Sequence, residues 1–161
     1  MKLIKPHDCR KAALAYWANG APYFQVALRT GSNSRDHVFR LPVSINGKEI
    51  EAEFDTGAGA SLLSRRAAER AGIQLAGPGV KEQTDMSGLG RHLMKGWWVP
   101  VASVGVGDEQ ILNSHLYVID GPIGSGVGAP DMLLGADFML AHHIYVARDQ
   151  QRIYFTYSGG N

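Results

Sequence analysis

Asn46-Gly47 is the feature that most constrains how this 161-residue chain can fold. It separates Leu41-Pro42-Val43-Ser44-Ile45 from Lys48-Glu49-Ile50-Glu51-Ala52-Glu53-Phe54. Both turn residues tolerate the positive φ that a type I′ turn demands, so two alternating runs joined this way predict a β-hairpin. In the second run Ile50, Ala52 and Phe54 share one face, and Glu49, Glu51 and Glu53 share the other, the period of a half-buried strand. The strand ends on Asp55-Thr56-Gly57-Ala58. A carboxylate is thereby delivered to a small-residue turn, followed by a hydroxyl that can bond across the turn and a glycine that admits close approach.

Alone, Asp-Thr-Gly also suits an ordinary turn in which Asp accepts from backbone N–H groups. Two flanking signatures raise its meaning. Ala58-Gly59-Ala60-Ser61-Leu62-Leu63-Ser64 follows directly, and Met132-Leu133-Leu134-Gly135-Ala136-Asp137-Phe138 lies far downstream. In this combination the chain resembles the retropepsin-like aspartic protease family, single-lobed relatives of pepsin, and in particular its bacterial members. The resemblance runs from about Val38 to Tyr157. It implies an all-β fold, a closed β-barrel lobe with a flap hairpin and short helices. Residues 36–161 form that domain, and residues 1–35 stand outside the resemblance as an N-terminal extension with a short helix, a strand and a linker.

Taken in order, Asp8 is placed to cap a helix from Cys9 to Ala18 that Asn19-Gly20 stops. Tyr23–Leu28 reads as a strand, and Gly31–Asp36 as a linker. Ser64 caps a short helix, Arg65–Ala71, ended by Gly72. Its arginines read as a solvated face. Val80–Met86 and Arg91–Val99 flank Ser87-Gly88-Leu89-Gly90, a hairpin that by position resembles the family's flap. Adjacent Trp97 and Trp98 must point to opposite faces, so at most one is core. Pro100–Val106 and Ile111–Ile119 read as strands about Gly107-Asp108-Glu109, with His115 a partly buried, satisfied histidine. The glycine-rich stretch Gly121–Pro130 fits neither a P-loop nor a dinucleotide fingerprint and reads as a loop. After the buried strand ending at Gly135, Ala136–His143 reads as a short helix. Ile144–Ala147 and Ile153–Tyr157 form a terminal hairpin whose last, aromatic strand offers a dimer edge.

Charge and composition exclude several classes. Sixteen Lys and Arg balance fifteen Asp and Glu with no basic block, so neither nucleic acid nor an anionic membrane is suggested as a partner. The one cysteine, Cys9, cannot form an intrachain disulfide. No apolar run is long enough for a signal peptide or a membrane span. His142 and His143 have no Cys or carboxylate cluster at ligand spacing, which argues against zinc. Twenty glycines, mostly between apolar runs, suit many short strands joined by tight turns.

The resemblance implies an aspartic endopeptidase with no metal or organic cofactor. The candidate catalytic residues are Asp55, Thr56 and Gly57, and the candidate substrate-binding residues are Ala58, Met86, Gly88, Leu89 and Gly90. Hydrolysis by this route needs two carboxyls, one to take a proton from water and one to donate. The chain has one Asp-Thr-Gly, and Asp137 lacks its context, so the second carboxyl implied is Asp55 of another subunit. In the family the Leu134-Gly135 strand packs behind the catalytic turn. Retroviral members carry Arg where this chain has Ala136, which leaves Asp137 to cap or bond locally. Other readings are one lobe of a longer two-lobed protease, a dimerisation or peptide-binding module, and a small-ligand β-barrel.

Overall fold

The computed structural model describes residues 15–29, 38–87, 93–123 and 128–159. The helix read over Cys9–Ala18 falls mostly outside them. Its described end is a single 3-10 turn, Tyr16–Ala18, closed by Asn19 at φ 49°. The Gly31–Asp36 linker and the flap tip Gly88-Leu89-Gly90 also lie outside the described residues.

Among the described residues ten strands and two short α-helices follow: β1 (Phe24–Ala27), β2 (Arg40–Ile45), β3 (Lys48–Phe54), β4 (Leu62–Ser64), α1 (Arg65–Arg70), β5 (Lys81–Ser87), β6 (Leu93–Val106), β7 (Glu109–Ile119), β8 (Met132–Leu134), α2 (Ala136–Leu140), β9 (His142–Ala147) and β10 (Arg152–Tyr157). The main sheet runs β2-β3-β8-β4-β7-β6-β5. A further pairing of β2 with β6, Val43 opposite Val106, closes six of these strands into a barrel. The fold is the all-β closed barrel that the sequence leads one to expect.

The Asn46-Gly47 turn forms as read, with φ of 50° and 78°. Leu41, Val43 and Ile45 of β2 and Ile50 and Ala52 of β3 fill the barrel, while Glu49 stays exposed and Glu51 and Glu53 half-buried. Asn46 has a second use. Its side-chain oxygen accepts from the Ala102 and Ser103 N–H groups at 2.9 and 3.3 Å. There β6 changes the parity of its inward face, from Trp97, Val99 and Val101 to Val104 and Val106. The side-chain acceptor supports the corner where the long strand bends around the barrel.

Several boundaries differ from the sequence reading. Pro100–Val106 is no separate strand but the second half of β6, and Pro100 sits between the pairings of β6 with β5 and with β2, where a missing N–H is tolerated. The helix read over Ala136–His143 stops at Leu140, and His142 opens β9. That histidine is buried. Its Nδ1 lies 2.6 Å from the Phe138 carbonyl and its Nε2 3.1 Å from Glu109, a long-range pair that no local pattern announces. His115 is exposed and stacks on Trp98 at 5.3 Å, so it is not the partly buried histidine of the sequence reading.

A second sheet has the order β1-β10-β9. The last strand is therefore no dimer edge: Phe155 pairs with Phe24 of β1 on one side and with Ile144 of β9 on the other. Its apolar residues, Ile153, Tyr154 and Phe155, are buried because both neighbours come from the same chain. The edges are β1 and β9. Among the described residues no helix is long and apolar enough to cross a membrane.

Candidate active site

Asp55 leaves β3 where the barrel opens. Its N–H donates to the Leu134 carbonyl at 3.1 Å, which ties the start of the turn to the end of β8. Its side-chain oxygen accepts from the Gly57 N–H at 2.8 Å, and the Ala58 N–H donates to the Asp55 carbonyl at 3.3 Å, closing the turn. The carboxylate is half-buried, while Thr56 and Gly57 are exposed. A Cβ on Gly57 would stand 3.1 Å from the carboxylate oxygen, so the small residue keeps that oxygen approachable.

β8 lies between β3 and β4, parallel to the first and antiparallel to the second. Its end backs the turn. A Cβ on Gly135 would meet the Ala60 carbonyl atoms at 2.6 Å and the Ala58 oxygen at 2.9 Å, which is the close backbone passage the sequence suggests. The Ala136 N–H donates to the Ala58 carbonyl at 2.8 Å. Asp137 bonds locally to the Phe138 N–H, but it also reaches 76 residues back in sequence to accept from the Ser61 N–H at 2.9 Å and the Ser61 hydroxyl at 2.7 Å. The same hydroxyl accepts from the Gly135 N–H at 3.0 Å. Ser61, Gly135 and Asp137 thus fasten the turn where Ala136 supplies no guanidinium. The local hydrogen bond expected of Asp137 forms, but the sequence reading missed Ser61, whose partners lie on another element.

Ala58 joins an apolar patch with Leu62, Ile119, Ile123 and Leu133 on the outer side of β4, β7 and β8. Residues in register share a face of a sheet. From Leu133 the row therefore continues through Leu62 and Tyr117 to Trp98, and Trp97 points into the core, so the tryptophans divide as expected. β5 and β6 form the flanks of the flap hairpin, with Met86 paired to Met94. A separate concavity of about 760 Å³ lies between α1 and the described flanks of the Gly121–Pro130 loop, Gly121 to Ile123 and Gly128 to Asp131, and does not include Asp55. The arginines of α1 are less free than a solvated face implies. Arg65 contacts Asp120 at 3.3 Å, and Arg66 and Arg70 contact Asp131 at 3.3 and 2.5 Å, anchoring both ends of that loop. Among the described residues no group of His, Cys, Asp and Glu converges as a metal site would require.

A family model for aspartyl proteases matches residues 41–138, which hold the Asp55 turn, its hairpin and the Gly135 strand. The chain belongs to the aspartyl protease family. As an aspartyl protease family member it shares its fold with a retropepsin-like aspartic protease from Rickettsia conorii (19% identity, TM-score 0.56, covering 84% of this chain and 91% of that one). It is also similar to the retroviral protease-like domain of Ddi1 from Leishmania major (22%, 0.52, 75% and 88%) and to EIAV protease complexed with an inhibitor (20%, 0.51, 68% and 91%). No curated protein matches the sequence. At these identities the solved structures speak for the fold, a retropepsin-like one.

Proposed function

We propose that this chain is an aspartic endopeptidase in which the Asp55 carboxylates of two subunits meet on a two-fold axis. The observation that carries the reading is the Asp55 turn itself. Its carboxylate is partly open, flanked by exposed Thr56 and Gly57, and fixed from behind by Leu134, Gly135 and Ala136. A rigid, solvent-facing turn suits a group that must meet a symmetry mate. Two carboxyls roughly 3 Å apart cannot both ionise and share one proton. The ionised member takes a proton from a water, which attacks the peptide carbonyl. The protonated member donates to the carbonyl oxygen, and a proton then passes to the leaving amine.

In this reading Thr56 bonds across to the partner turn and Gly57 leaves room for substrate. Ala58 offers the near end of the apolar patch, and Met86, Gly88, Leu89 and Gly90 of the flap close over an extended peptide held by main-chain hydrogen bonds. The pairing edge is β9, which β10 leaves open on its outer side. Exposed Leu140, just before β9, adds apolar surface at the same place.

The test is cleavage of a diverse peptide library by concentrated protein from acid to neutral pH, with Asp55→Asn beside the wild type. Cleavage that peaks on the acid side and disappears in Asp55→Asn is the expected result. Cleavage that survives the substitution removes Asp55 from the chemistry, and no cleavage by the wild type leaves a peptide-binding or dimerisation module or one lobe of a larger protease.

A further inference from the structure

We propose that Glu53 makes this site selective for a substrate carrying a lysine or arginine side chain beside the cut bond; the inference rests on the protease reading above. Glu49, Glu51 and Glu53 alternate along one face of β3, and the strand runs straight into Asp55. Among the described residues two arginines answer these four carboxylates. Arg29 pairs with Glu49 and, at 3.5 Å, with Glu51, and Arg40 donates to Glu51 at 3.4 Å. Both guanidinium groups are therefore engaged toward the start of β3. Among the described residues Glu53 has no hydrogen bond and no ion-pair contact, although it is half-buried.

Its neighbours show what would complement it. In register across the sheet, Glu53 stands beside Leu133 of β8, and Leu133 beside Leu62 of β4. Glu53 is thus the charged end of the apolar patch that begins at Ala58. A lysine or arginine lays its methylene stem along apolar surface and keeps its charged head for an anion, which matches a patch ending in a carboxylate. Burial pushes the Glu53 carboxyl above its ordinary range; the Arg40 charge opposes that shift and the Asp55 charge adds to it. A substrate cation would offset both the burial and the repulsion. An acidic side chain in the same place would face Glu53 and Asp55 together and be rejected, so one residue supplies attraction and exclusion.

The experiment compares peptides that the library shows to be cut, each made with lysine or with uncharged norleucine at successive positions around the cut bond, at the highest pH where cleavage persists. At one position the wild type is expected to favour lysine about two- to fivefold in kcat/KM, the scale of a partly exposed ion pair. Glu53→Gln should bring that ratio to about one, and Glu53→Arg should reverse it in favour of glutamate. Wild type that cuts norleucine peptides with no lysine preference, or Glu53→Gln that keeps the preference, overturns the inference and leaves the protease reading standing. If no peptide is cut the protease reading fails. Extended peptides of one uncharged sequence carrying lysine or norleucine at a central position, fluorescently labelled and titrated onto the wild type, then decide selectivity by binding, and equal affinities overturn it.

Discussion

Glu53 is at odds with its surroundings in the free protein, and that has a measurable sign. Its folded-state pKa lies above the ordinary value, chiefly through burial. A carboxyl raised in this way binds its proton more tightly in the folded than in the unfolded chain. Its favourable contribution is complete below the unfolded pKa and is lost as pH rises through the higher folded value. Glu53→Gln, which resembles the protonated form, should therefore melt at a higher temperature than wild type at neutral pH. The gap should close as pH falls below the carboxylate range. Melting curves of both proteins across pH check this, and a gap that is constant with pH would assign it to packing instead. A residue that weakens the fold yet stays open to a cationic ligand fits the trade of stability for function. The alternation of Glu49, Glu51 and Glu53 is plain in the sequence. That Arg40, opposite Glu53 in register, turns its side chain to Glu51 beside Arg29 and leaves Glu53 without an ion-pair contact was not legible, because it depends on where Arg29, outside the hairpin, and the side-chain rotamers come to rest.

At the scale of elements, local rules carried far where the partner of a residue is its own neighbour. Asn46 and Gly47 adopt the expected positive φ, and Ser64 caps α1 by accepting from the Ala67 N–H at 3.2 Å. The same rules ended where the deciding contact is remote. α2 gives way to β9 at His142 because that ring is held between Phe138 and Glu109, and Glu109 lies on β7. The case of β1 is similar. Nothing in Phe24–Ala27 says that it will pair with the last strand, yet Val26 sits in the main core and Gly107, between β6 and β7, presses against it. Gly107 has φ +56°, and a Cβ there would stand 1.9 Å from the Gln25 carbonyl oxygen and 2.7 Å from its carbon. Backbone cannot yield as a flexible side chain does. Gly107→Ala should cost on the order of 3 kcal/mol, combining overpacking with a strained φ. The adjacent exposed Asp108→Ala should cost little. Urea unfolding midpoints of the two variants test this, and equal midpoints would show that β1 is not docked against this turn. We propose that β1, the described strand before the resemblance begins, is anchored to the barrel through this contact.

At the scale of the whole molecule, one chain supplies one Asp-Thr-Gly, and the proposed chemistry needs two carboxyls at one point. The closed barrel and the turn can be anticipated from the hairpin, the downstream Leu134-Gly135 strand and the family resemblance. The open edges of the smaller sheet cannot, because the aromatic strand that looks like an edge is covered on both sides and the edges are β1 and β9. A shared site makes a prediction that neither a self-sufficient chain nor one lobe of a larger protease makes. Mixing equal amounts of wild type and Asp55→Asn and allowing exchange should leave about a quarter of the dimers fully wild type, by random pairing of equivalent subunits. Activity per wild-type chain should then fall to about half of its unmixed value, and it should fall further on dilution as dimers separate. The Asp55→Asn chain alone should give nothing. If each chain carries its own complete site, the mixture retains the full activity of its wild-type chains, and dilution lowers activity only in proportion to concentration. That result would place the second proton-carrying group within the chain and direct attention to the carboxylate two residues before Asp55, on the same face of β3.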